Sequence, residues 1–281
     1  MVNLFNPATA SRNELLKWTL TVLRHYKIKP RNKLSQNFVV DPRLVSEVLS
    51  YTAPLDTLEI GCGIGTLSLA LITRVRRLIC VEIDEKLCLV SSSVVSNPRF
   101  LVINADARVY FPGIEVEQVV SNLPYYITSD LLVKIARTNS VRRAVLTLQR
   151  EVADRISAKP GSRSYGKLTV LIKLLFNIYK LNTYAPSSFY PKPGVSHRVI
   201  VLERKRPYSS EMCVLEVLTR ILFTQRRRLV EKVLARKLGV GVGELGSLEG
   251  EISGKRVFML KEETLLELAS LLHEKGVITC N

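Results

Sequence analysis

No apolar run in this chain approaches the roughly 20 residues needed to cross a bilayer, which argues against a membrane-spanning protein. The opening residues 1–7 show no basic stretch followed by an apolar one, so no secretory signal is expected. No C-x-x-C pair occurs among the five cysteines, Cys62, Cys80, Cys88, Cys213 and Cys280. Their odd number and scatter predict free thiols in a reducing, cytoplasmic compartment, and no metal site. Histidine is scarce: only His25, His197 and His273 occur, and none has an evident partner for a Ser-His-Asp arrangement. His197 reads as structural. Internal repeats and low-complexity segments are also missing.

Acidic residues are in short supply as well. The 25 Asp and Glu face 41 Lys and Arg, leaving a net charge of +16 over 281 residues. That excess predicts a polyanionic partner, nucleic acid first and an anionic membrane surface second. Residues 205–281 carry 13 basic and 10 acidic side chains, and residues 1–204 carry 28 and 15. The first part is therefore expected to make the field and to meet the polyanion.

The hydrophobic fraction of 47% supports one large domain or one domain plus a small second one. Residues 11–26 read as an amphipathic helix, with Ser11 and Glu14 as a capping box and Leu15, Leu16, Leu20 and Leu23 on one face. That capped helix argues against a basic transit peptide. A basic loop follows at 27–35, and a helix begins at Pro42. Short buried strands are expected at 58–60, 77–83, 100–103, 118–121 and 144–148, with helices at 66–74, 85–95 and 129–137 between them. This alternation predicts an open parallel α/β sheet covered on both faces. The apolar segments 168–181 and 197–204 are expected to form a closing pair of strands around the Pro-rich stretch 185–194. Residues 211–238 and 261–275 read as helices. The expected organisation is a basic N-terminal helix and loop at 1–33, an α/β domain at 34–205 and a small all-helical domain at 206–281.

Four motifs fall on the ends of those strands. Glu59-Ile60-Gly61-Cys62-Gly63-Ile64-Gly65 follows a strand and opens a helix, as a nucleotide-binding loop requires. Its G-x-G-x-G spacing differs from the dinucleotide pattern, so a pyrophosphate on the helix start is disfavoured. Val81-Glu82-Ile83-Asp84 ends the next strand. Glu82 is the candidate acceptor for ribose hydroxyls, and Asp84 the cap of the following helix. Asp106, in Asn104-Ala105-Asp106-Ala107, suits an adenine amino group or a turn. Together these describe an adenosine-containing ligand without a long phosphate tail, which S-adenosylmethionine fits.

The fourth motif is Asn122-Leu123-Pro124-Tyr125. The Asn122 side-chain oxygen and the Leu123 carbonyl can accept two hydrogen bonds from an amine. Pro124 holds the turn, and Tyr125 offers a stacking face for a base. An arylamine is a poor nucleophile because its lone pair is delocalised; two acceptors localise that pair. Proximity and orientation then carry most of the catalysis. Tyr126 reads as core.

These motifs resemble the class I S-adenosylmethionine-dependent methyltransferases, and among them the KsgA-like ribosomal-RNA adenine dimethyltransferase family. The resemblance covers about 30–205. It includes Leu34-Ser35-Gln36-Asn37-Phe38 and Pro186-Ser187-Ser188-Phe189-Tyr190-Pro191-Lys192-Pro193-Gly194-Val195-Ser196. It implies a Rossmann-like sheet and S-adenosylmethionine as methyl donor. Gln36, Asn37, Val39, Gly61, Glu82, Asp106 and Asn122 would line the cofactor site with Gly63 and Gly65. Phe189 would close on the target adenine opposite Tyr125. The implied reaction is dimethylation of two adjacent adenosines in small-subunit rRNA by a monomeric cytoplasmic enzyme. The alternatives are a large-subunit methyltransferase of the antibiotic-resistance type and a non-catalytic RNA-binding assembly factor. The family often has Gly where Ser35 stands and Leu where Val39 stands, so a small change in loop backbone and packing is expected. In the C-terminal part, Gln225-Arg226-Arg227-Arg228 and Arg236-Lys237 suit phosphate contacts.

Overall fold

The computed structural model describes residues 5–111 and 115–280. Residues 1–4 of the expected N-terminal segment lie outside it. A helix α1 (Arg12–His25) starts at Ser11, whose side chain accepts from the Glu14 N–H while Glu14 accepts from the Ser11 N–H, as the capping box requires. Its buried face is Leu15, Thr19, Val22 and Leu23; Leu16 and Leu20 sit half-buried at the margin. A short strand β1 (Phe38–Val39) and α2 (Pro42–Tyr51) follow. Then come β2 (Asp56–Ile60), α3 (Thr66–Leu71), β3 (Arg77–Glu82), α4 (Glu85–Val95), β4 (Phe100–Asn104) and α5 (Ala107–Tyr110). Next are β5 (Gln118–Asn122), α6 (Thr128–Arg137), β6 (Arg143–Gln149) and α7 (Arg150–Ile156). The remainder is α8 (Lys167–Leu175), β7 (Phe176–Tyr184), β8 (Phe189–Tyr190), β9 (His197–Arg204), α9 (Ser210–Phe223), α10 (Val230–Leu238), α11 (Glu249–Ile252) and α12 (Glu262–Glu274).

The sheet runs β4-β3-β2-β5-β6-β9-β7. Strands β2 to β6 pair in parallel, and β9 returns antiparallel to β6. Strand order reverses between β2 and β5, so their C-terminal ends open the crevice where such sheets bind ligands. A separate ribbon pairs β1 with β8, Val39 opposite Phe189.

The chain divides into two compact units, Met1–Ala153 with Ile178–Glu203, and Asp154–Asn177 with Arg204–Asn281. This differs from the expected boundaries at 33 and 205. Helix α1 belongs to the first unit because Leu15, Val22 and Leu23 share one core with Leu44, Val45 and Ile64. Residues 154–177 belong to the second because α8 packs against α9 and α12. The expected strand at 168–181 is also corrected: its first half is α8. Thr169, Val170, Leu171, Ile172, Leu174 and Leu175 are all buried, so no amphipathic period distinguishes helix from strand there. The expected helix 211–238 is two helices. Between them the Phe258 N–H donates to the Arg226 carbonyl and the Val257 N–H to the Arg228 carbonyl, bonds that replace helical ones. The free-thiol expectation fails for four cysteines. The fold brings Cys62 beside Cys80 and Cys213 beside Cys280 as disulfides, leaving Cys88 free and buried.

Candidate active site

The loop after β2 begins with the Gly61 N–H bonded to the Val81 carbonyl of β3, 2.9 Å. Gly61, Gly63 and Gly65 all have positive φ. A Cβ on Gly63 would stand 3.1 Å from the Phe38 ring, so the loop passes directly beneath the N-terminal segment. Gly65 differs: it does not line the cavity, and a Cβ there would press on Val95 and Val94 of α4. It serves helix packing rather than ligand contact.

A cleft open to solvent lies over this loop, with about 80 Å³ of it available to the centres of water molecules. Gln36, Asn37, Val39, Gly61, Gly63, Glu82, Asp106, Asn122 and Pro124 line it, so the structure gathers most of the predicted residues into one cleft. The Glu82 carboxylate accepts from the Gly63 and Asp84 N–H groups, both at 3.0 Å. Burial raises its pKa. Asp84 caps α4 and also accepts from Gln36 Nε2 at 2.9 Å. Arg31 reaches the same oxygen, 3.3 Å away. These contacts strap residues 31–37 across the cleft. Asp106 caps α5, and the Arg108 guanidinium forks onto it, which lowers its pKa.

At the end of β5, Asn122 Nδ2 donates to the Asn37 carbonyl at 3.1 Å. That bond fixes the amide's orientation and leaves Asn122 Oδ1 buried without a partner. Asn37 Nδ2 donates to the Tyr125 hydroxyl at 3.1 Å and to the Ser35 carbonyl. Ser35 itself has φ 52°, left-handed backbone at a non-glycine residue. Tyr125 and Leu123 do not line the cavity; Leu123 is a buried anchor whose N–H donates to the Thr147 carbonyl.

Phe189 is 1% exposed, and the His197 ring contacts both it (4.5 Å between centroids) and Tyr125 (5.2 Å). Burial lowers the His197 pKa to about 4, so the ring is neutral. The Val195 backbone approaches it and opposes that shift weakly, without closing a hydrogen bond.

Sequence reasoning missed two residues of the cleft. Tyr126 is not core: it is exposed, lines the cavity and lies under the Arg108 guanidinium at 5.9 Å. Glu59 is the second. It lines the cavity fully buried, accepts from the Ser68 hydroxyl at 2.6 Å, and burial pushes its pKa up to about 8. A carboxylate next to the C-terminal end of a short buried strand was the available signal.

A parallel sheet with reversed order at β2/β5, a glycine loop, strand-end acids and an Asn-Leu-Pro-Tyr corner define a class I S-adenosylmethionine-dependent methyltransferase. Residues 27–272 match the family model described as ribosomal RNA adenine dimethylase, and the chain belongs to that family. It is an rRNA adenine dimethyltransferase. It is 30% identical over 268 residues to a probable ribosomal RNA small subunit methyltransferase A from Thermococcus gammatolerans, covering 92% of this chain and 95% of that protein. A relative of the same name from Methanothermobacter thermautotrophicus is 33% identical over 270 residues, covering 91% and 96%. Among solved structures, a dimethyladenosine transferase from Plasmodium falciparum superposes with TM-score 0.72 at 23% identity, over 87% of this chain and all of that one. The 23S rRNA methyltransferase ErmE superposes with TM-score 0.63 at 25% identity, over 84% and 100%.

Proposed function

We propose that this protein dimethylates two adjacent adenosines of small-subunit rRNA as a monomeric cytoplasmic enzyme, with Asn122, Leu123, Pro124 and Tyr125 gripping the target base. The observation that carries this is Asn122 Oδ1, a buried acceptor held without a partner at the cleft. An unpaired buried acceptor costs about 1–3 kcal/mol, and a substrate amine relieves it. The donor set fits the cofactor: a glycine cradle under the strap and buried carboxylates at the ends of β2 and β3. Gln36, Asn37, Val39, Gly61, Gly63, Glu82 and Asp106 hold it, with Glu82 at the ribose and Asp106 at the adenine edge. When bound, S-adenosylmethionine supplies an electrophilic methyl carbon. Asn122 Oδ1 and the Leu123 carbonyl accept from the amine and turn its lone pair toward that carbon, while Tyr125 stacks on the ring.

The names of the curated relatives support the small subunit over the large one. In the second unit, exposed Arg227 and Arg228 suit the rRNA backbone, together with Lys159, Arg163 and Lys255. Arg226 does not share that role: its guanidinium donates to the Ser162, Arg163 and Tyr165 carbonyls.

The test is Asn122→Ala with labelled methyl donor on undermodified small and large subunits. We expect transfer to small subunits only, lowered at least about 100-fold by the substitution, with rRNA affinity kept. Undiminished turnover refutes the gripping role, and label in large subunits refutes the substrate.

A further inference from the structure

Ten buried side-chain polar atoms lack a hydrogen-bond partner among the described residues, and four of them gather at one end of the sheet. They are Asn122 Oδ1, Thr147 Oγ1 and both ring nitrogens of His197. The register explains the gathering. Asn122 pairs with Thr147, Thr147 with Val199, and Gln149 with His197. Paired residues share a face, and so do residues two apart on a strand. Asn122, Thr147 and His197 therefore line one face of three adjacent strands. Thr147 and His197 are both 0% exposed. Tyr125 and Phe189 stand against the His197 ring at 5.2 and 4.5 Å.

A hydroxyl and an imidazole buried unpaired are unfavourable choices for packing alone, since Val and Leu fill similar space without the desolvation penalty. Among the described residues neither side chain closes a hydrogen bond of good geometry, and only the Val195 backbone approaches the imidazole. We propose that Thr147 and His197 form the polar floor of the target-base slot and hydrogen-bond the ring nitrogens of the purine whose amine Asn122 receives. Phe189 stands buried against the His197 ring in this structure, and in this proposal the base enters by displacing it. A hydroxyl and a neutral imidazole each offer a donor, and an adenine ring offers acceptors at N1, N3 and N7. The floor thus makes Thr147 and His197 specificity-determining residues, distinct from the amine grip. This rests on the reading of Asn122–Tyr125 as the target-base corner.

Two variants and one substrate series test it. Thr147→Val keeps volume, His197→Leu nearly does, and both remove the polar atoms. Each is expected to melt at the same temperature or higher, to bind S-adenosylmethionine as before, and to lose about tenfold in kcat/KM on undermodified small subunits, the size of one hydrogen bond. Small subunits reconstituted with 1-, 3- or 7-deazaadenosine at the methylated positions supply the atomic readout. At least one deaza substitution should lower wild-type transfer about tenfold and have no further effect on the matching variant. Variants that melt higher yet methylate like wild type would reduce both residues to packing and overturn the floor. So would wild-type transfer indifferent to all three deaza positions, a measurement that needs no variant to fold. If the wild type methylates no unsubstituted small subunit, the proposed function itself fails first, which keeps the two failures apart.

Discussion

Ser35 illustrates how much a single backbone angle decides. Its φ of 52° places an L-residue in left-handed backbone, at the turn that sends Asn37 over the cleft. The cost of such a conformation is about 1–2 kcal/mol for a residue with a Cβ. Glycine removes that cost but adds about 0.4–1 kcal/mol of unfolded-chain entropy. Ser35→Gly should therefore leave the melting temperature unchanged or raise it slightly, and leave methyl transfer intact. A clear drop in a thermal melt would contradict the strain assignment. The sequence already marked Ser35 as a site of altered loop backbone; the sign of the angle is what the structure adds. Asn37 shows the opposite case. Its expected role was cofactor contact, and it does line the cavity, but its carbonyl and amide also hold Asn122 and Tyr125.

At the scale of elements, strand β2 carries a buried charge problem. Glu59 stands among apolar neighbours and, with its pKa up at about 8, is protonated at neutral pH. Its folded pKa lies above the ordinary 4.5, so the folded state holds the proton more tightly. The resulting stability is fully present below about pH 4.5 and is lost as pH rises through 8. Glu59→Gln keeps a neutral acceptor for the Ser68 hydroxyl. The variant should match wild type in urea melts near pH 4 and exceed it near pH 9; parallel pH curves would show that Glu59 is ionised in the folded chain. The strands and helices of the first unit were legible because their signals are local: caps at Ser11 and Asp84, glycines at turns, and short β-branched runs. Helix α8 and the break before α10 were not. The first is buried on all sides, and the second depends on bonds from residues 257–258.

Over the whole molecule, the charge expectation changes with the fold. By linear segments, residues 1–204 and 205–281, the excess was +13 and +3. By compact units it is 22 basic against 14 acidic residues in the first and 19 against 11 in the second, +8 each. Both units therefore contribute to attracting rRNA. Salt titration of rRNA binding should separate the arginines of the second unit. Arg227→Ala and Arg228→Ala should each reduce the log–log salt slope by about 0.7–0.9, one phosphate contact apiece. Arg226→Ala should instead lower the melting temperature, because it strips hydrogen bonds from three carbonyls of residues 162–165. An unchanged melt with a reduced slope would reverse that assignment.

The sequence by itself determined the sheet's alternation, the glycine turn and the Asn-Leu-Pro-Tyr corner, because each is written in neighbouring residues whose conformational preferences act locally. Only the tertiary structure decided the unit boundaries, the pairing of Cys62 with Cys80 and Cys213 with Cys280, the exposure of Tyr126, and the meeting of Asn122, Thr147 and His197. Those depend on strand register and on contacts between residues 18 to 75 positions apart, which no local pattern encodes.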